Sequence, residues 1–140
     1  MPRYEILPHP ADAKFRAYGR TLAEAFANAA LATASLMWDW TKVQPRLSVP
    51  VRVSGKDREQ LLVKFLNELL YLFDTRGFLI AAAEDVRLGR QDGGWTLEAV
   101  LRGDGLSAGH EIYGFAKAAT YNEMEIEEGD GFAIQVVVDM

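Results

Sequence analysis

The chain has 140 residues, 49% apolar and 25% charged content and a formal net charge of −5, the profile of one soluble globular domain able to bury about two-thirds of its surface. Zero cysteines exclude disulfides, thiolate zinc sites and a cysteine nucleophile. No apolar run reaches the roughly eighteen residues of a membrane span, and the acidic balance argues against strong direct nucleic-acid binding, which draws on a basic surface. The N-terminus shows no basic region followed by an apolar stretch, so no secretion signal is expected. A reducing, intracellular location and a protein or cation partner fit these numbers.

Tyr4 to Leu7 and Lys14 to Tyr18 read as short strands, the second alternating Phe15 and Ala17 with Lys14, Arg16 and Tyr18. Between them lies a corner in which Pro8 and Pro10 flank His9, leaving neither helix nor ladder pairing available. Thr21 followed by Glu24 forms a capping box that starts a helix at Thr21. Leu22, Phe26, Ala29, Thr33, Leu36, Met37 and Trp40 continue it as one apolar stripe, and its many alanines favour close packing against a neighbour. Leu47, Val49, Val51 and Val53 alternate with Ser48, Pro50, Arg52 and Ser54, a half-buried strand that Pro50 assigns to an edge.

A second helix begins at Asp57, with Gln60 reaching back, and stops at Gly77. Its apolar positions cover much of its circumference, which predicts the central, buried helix of the fold. Beyond Phe78 the period becomes two. Glu84 to Gln91 and Gly94 to Leu101 read as a hairpin across Asp92-Gly93-Gly94, followed by strands at Tyr113 to Tyr121, Glu123 to Ile126 and Gly131 to Val138. There is no internal repeat or linker. The order argues for an α+β fold: a mostly antiparallel sheet assembly packed against two main helices, a single domain over 1–140.

A search for reactive constellations returns little. No serine sits in a G-x-S-x-G elbow, and His9 and His110 lie far apart with no metal-binding spacing. Gly103-Asp104-Gly105 reads as a turn. The acidic run Glu123, Glu125, Glu127, Glu128 and Asp130 lacks EF-hand spacing and reads as a solvated hairpin tip. Three features remain: Asp12 in the opening corner, Asp139 beside the carboxylate of Met140, and Lys117 between small and aromatic residues. Two negative groups at one strand end repel, and a hard cation with oxygen ligands would relieve them. Two unrelated, solvated surface aspartates would account for the same spacing. The plain reading of Lys117 is a side chain with its stem lying along the sheet.

The segments ILPHPADAKFRAYGRTLAEAFANAALA, LLVKFLNELLYLFDTRGF, EIYGFAKAATYNEMEI and VVVDM, in that order over nearly the full length, resemble the archease family. The resemblance implies a single archease-like domain, a small cytoplasmic accessory protein. Such a protein is a chaperone-like activator of the RNA-splicing ligase that joins tRNA halves. It promotes ligase guanylylation and multiple turnover and is not itself an enzyme. The resemblance further implies a divalent cation, calcium or alternatively magnesium, held by Asp12, Asp139 and the main-chain oxygen of Met140. Oxygen donors suit such cations better than zinc. Lys117 matches a family lysine and becomes a candidate contact with the ligase; His9 is read as a turn residue outside the ligand set, hydrogen-bonded to backbone or carboxylate. In one place the chain departs from the pattern: Asn122 stands where many members carry histidine, so a titrating role there is in doubt. Two other readings stay open, a small metal-dependent hydrolase using the same carboxylates and a general chaperone with a large exposed apolar patch.

Overall fold

In the computed structural model, which describes residues 2–140, the chain forms seven strands and two helices. In chain order they are β1 (Tyr4–Leu7), β2 (Ala13–Gly19), α1 (Leu22–Ser35), β3 (Leu47–Gly55), α2 (Arg58–Arg76), β4 (Phe78–Gln91), β5 (Gly94–Gly105), β6 (Ala118–Gly129) and β7 (Gly131–Asp139). One sheet has the order β1-β2-β7-β6, the other β3-β5-β4, and all pairings are antiparallel. This is the expected α+β class, with the strands divided between two sheets. A single buried cluster draws side chains from both sheets and both helices.

Helix α1 starts where expected, with Thr21 Oγ1 accepting the Glu24 N–H at 3.1 Å. Nine of its fourteen residues are buried, including the unbroken run Asn28 to Ala34, so most of its circumference is covered. It lies against β2 and β7 on one side and β4 on the other. Helix α2 also packs against both sheets, β3 on one and β6 on the other, but α1 is the more completely buried of the two, where the apolar content of α2 suggested the reverse. Alanine side chains let strand backbones approach from two directions, whereas α2 keeps Lys64, Tyr71 and Asp74 in solvent. The apolar stripe expected to run on to Trp40 outlasts the helix. The chain leaves α1 at Ser35, and fully buried Trp38 turns its indole N–H onto the Ile80 carbonyl at 3.0 Å.

Helix α2 is capped as its sequence dictates. Asp57 accepts the Gln60 N–H at 2.8 Å and Gln60 Oε1 accepts the Lys56 N–H at 2.8 Å; the helix ends on Gly77 at φ 61°, the left-handed cap. Midway along it, Asn67 Oδ1 accepts the Ala119 N–H at 2.8 Å. That bond satisfies part of the open edge of β6. Strand β3 is an edge, in keeping with Pro50.

The β4–β5 hairpin turns through Asp92 and Gly93, at φ 51° and 78°, the two-residue turn that matches strand twist. Both strands are longer than expected: β4 starts at Phe78, and β5 absorbs Gly103-Asp104-Gly105 rather than turning there. The glycine at 103 has a packing reason, because the Leu79 carbonyl oxygen occupies the space a Cβ would need. The stretch 109–117 carries no strand, and Ala118 to Gly129 form one strand where two were expected. The apparent break is a bulge. Thr120 pairs with Val137 and Glu125 with Gln135, so Tyr121 to Met124 oppose Val136 alone.

Candidate functional site

The proline-flanked corner delivers Asp12 through a tight reversal. Ala11 has φ 66° and the Asp12 N–H donates to the Pro10 carbonyl at 2.7 Å. This is a γ-turn with positive central φ, a rare and strained conformation for a residue with a Cβ. Strand β2 follows at once, and its register with β7 runs from Gly19↔Phe132 to Ala13↔Val138. Asp12 and Asp139 are the next residues beyond that last pair. Both aspartates thus stand at the same end of neighbouring strands, Asp12 half-buried and Asp139 exposed.

On its other side Asp139 pairs with Ala118, and its carbonyl accepts the Lys117 N–H at 2.7 Å. Met140 follows, half-buried against the core. Sheet geometry therefore gathers Asp12, Asp139, Met140 and the backbone of Lys117 at one place, although they are far apart in sequence. Lys117 stands just ahead of β6 and is exposed, rather than lying within a strand. His9 is turned elsewhere: Nε2 lies 2.9 Å from Glu123 Oε2 and Nδ1 lies 3.2 Å from the Pro10 carbonyl oxygen.

Glu123 is the residue sequence reasoning passed over. It sits inside the β6 bulge at φ 53°. Its carboxylate also accepts from Lys14 Nζ at 3.2 Å, and its main-chain carbonyl accepts from Gln135 Nε2 at 2.8 Å. Gln135 Oε1 in turn accepts from Arg16 at 3.1 Å, and Arg16 reaches Glu125 and Glu127 at 3.4 and 3.1 Å. The hydrogen bond with His9, then the bond and charge of Lys14, hold the Glu123 carboxyl below its ordinary value. So the acidic run is only partly a solvated tip; three of its glutamates lie along the outer face of the sheet. The signal was present in sequence as alternation, Glu123, Glu125 and Glu127 matching the spacing of Lys14 and Arg16, cations two strands away.

Two carboxylates and main-chain oxygens form a hard donor set, suited to calcium or magnesium and not to zinc. Among the described residues, no three or more His, Cys, Asp or Glu side chains are grouped to hold a metal. A cation shared by Asp12 and Asp139 would need main-chain oxygen and water to complete its shell. Nor is any helix among those residues long and apolar enough to cross a membrane.

The architecture is that of a small α+β domain in which two antiparallel sheets pack against two helices and an aspartate lies at each of two adjoining strand ends. Residues 4–140 match the model of the Archease protein family. A protein named archease from Pyrobaculum neutrophilum is 44% identical over 142 residues, covering 98% of this chain and 95% of its own. Another from Methanosarcina acetivorans is 39% identical over 140 residues, covering 99% and 96%. The solution structure of Methanobacterium thermoautotrophicum protein 1598 has the same fold, with a TM-score of 0.85 and 35% identity over 100% of both chains. The chain belongs to the archease family.

Proposed function

We propose that this protein is a non-catalytic accessory protein of the RNA-splicing tRNA ligase, which it activates by promoting guanylylation and multiple turnover. Family membership supports the accessory role. The observation that supports the site is the β2–β7 register, whose last pair, Ala13↔Val138, leaves Asp12 and Asp139 as the next residue on each strand. In this reading Asp12, Asp139 and the Met140 main-chain oxygen hold a divalent cation, calcium or magnesium. The cation neutralises two carboxylates that would otherwise repel, and it fixes the shape of the surface offered to the ligase. Lys117, hydrogen-bonded to Asp139 through its own backbone, presents a cation beside that surface. Activation then consists of preferential binding to the ligase conformation competent for guanylylation, which raises its population. On this reading the protein works in the cytoplasm and makes no strong contact of its own with RNA.

Two protein carboxylates are few for calcium, so the affinity expected is weak, about 0.1–1 mM, as in other sites poor in charge. The test is ligase turnover with the wild type, Asp12→Ala and Asp139→Ala. Loss of activation in both variants, with folding intact, is expected. Full activation by both would remove the site from the mechanism, and metal-dependent hydrolysis by the purified protein alone would replace the accessory role with an enzymatic one.

A further inference from the structure

The geometry points to Glu123 as a positioning residue, one that fixes the Asp12 corner from across the sheet through His9 and Lys14. As a statement about cation binding this rests on the reading above; as a statement about where Asp12 is held it stands on the hydrogen bonds alone.

The corner has little to hold it from within. Its internal hydrogen bonds are those of the γ-turn, Asp12 N–H to the Pro10 carbonyl at 2.7 Å, and the contact of His9 Nδ1 with the same oxygen at 3.2 Å. Ala11 at φ 66° opposes this conformation, since a residue with a Cβ is strained there by about 1 kcal/mol or more. Something outside must hold it. Glu123 makes one contact on each side of Asp12: His9 Nε2 at 2.9 Å, before the turn, and Lys14 Nζ at 3.2 Å, after it. A single carboxylate thus brackets the reversal that delivers Asp12.

Glu123 can do this because of the bulge. β6 is separated from β2 by β7; from regular ladder positions on β6, Glu125 and Glu127 cross that gap to Arg16, and the bulge sets Glu123 against Lys14 and His9 instead. Four residues opposing Val136 alone, with Glu123 at φ 53°, redirect its backbone. The Gln135 bond to its carbonyl at 2.8 Å then anchors that backbone to the central strand β7. Bulges re-aim side chains in this way, at a local cost in ladder bonds. The same anchor strand ends in Asp139, so both carboxylates of the pair are referenced to β7, one directly and one through Glu123.

Charge alone would also tie Glu123 to a cation site, because any nearby carboxylate raises cation affinity through its field. The two effects separate on His9. Replacing His9 by glutamine removes one arm of the clamp and no carboxylate. The experiment is calcium titration of the full chain by calorimetry for the wild type, Glu123→Gln and His9→Gln, with hydrogen exchange of the Asp12 amide followed by NMR in the calcium-free proteins. Both variants are expected to bind calcium about tenfold more weakly than wild type, with thermal midpoints at neutral pH lowered only slightly. Both are also expected to raise Asp12 amide exchange about twofold to fivefold, the size of effect an exposed pair has on a local opening. The double variant should be no weaker than Glu123→Gln, since both removals break one device.

Weakened binding in Glu123→Gln with wild-type behaviour in His9→Gln would reduce Glu123 to a field effect and overturn the assignment. So would unchanged Asp12 exchange in both variants. If the wild type binds no calcium or magnesium, the cation reading fails, and the exchange data alone decide whether Glu123 holds the corner.

Discussion

The two sheets pack against the same two helices, yet their outer faces are built differently. On β3-β5-β4 the charges form separate exposed pairs: Arg52 with Glu98 at 3.0 Å and Arg102 with Glu84 at 3.3 Å. On β1-β2-β7-β6 the charges are joined. His9 and Lys14 meet on Glu123, Arg16 reaches two glutamates, and buried Gln135 connects both groups. Isolated exposed pairs are each worth about 0–1 kcal/mol and specify little. A network anchored on a central strand can hold a loop in a conformation the loop does not favour. The sheet that carries the joined network is the one that carries the Asp12 corner.

The comparison can be broken at its common base. Trp38 is fully buried, its ring lies 5.1 Å from Phe73, and its N–H holds Ile80. Trp38→Ala is expected to cost about 3–5 kcal/mol in one cooperative denaturant transition, because both sheets share this core. Separate transitions for the two sheets would refute the picture of two faces on one body. A smaller effect confined to one sheet is expected from Asn67→Ala, which strips the Ala119 N–H of its partner. The loss should be about 1–2 kcal/mol, with faster amide exchange on β6 and none on β3.

Acid sharpens the contrast further. The folded-state value of Glu123 lies below its usual 4.5, chiefly through His9 and then Lys14. As pH falls the unfolded chain takes up that proton first, so the stabilisation is complete above the unfolded value and is lost as pH drops through the lower, folded one. Thermal midpoints measured downward from neutral pH should show this loss only below about pH 4.5, and Glu123→Gln should flatten that part of the curve. The smallest effect belongs to the other face: Arg52→Ala should shift stability by no more than about 0.5 kcal/mol by chemical denaturation.

Local chemistry made much of this fold legible in sequence. Thr21, Asp57 and Gly77 mark helix ends through hydrogen bonds and backbone freedom that depend on near neighbours, and Asp92-Gly93 does the same for the hairpin. What escaped depends on distant partners. Which helix is buried more completely is set by how closely strands can approach, so alanine-rich α1 is covered over more of its length than leucine-rich α2. Gly103 looks like a turn residue until the Leu79 carbonyl beside it is known. The bulge between Thr120 and Glu125 reads as a break between two strands because period-two patterning is lost on insertion. For the site, the motif resemblance named Asp12, Asp139, Met140 and Lys117, and the topology brings them to one sheet end. Glu123 stayed hidden within an acidic run whose partners lie two strands away.

The proposed function turns on one ion at one place. A crystal of the full chain grown or soaked in calcium tests it most directly. The expected result is a single site with carboxylate oxygens of Asp12 and Asp139 and the main-chain oxygen of Met140 at about 2.3–2.6 Å, water completing the shell. Calcium bound elsewhere, or none between those two carboxylates at saturating concentration, would contradict it.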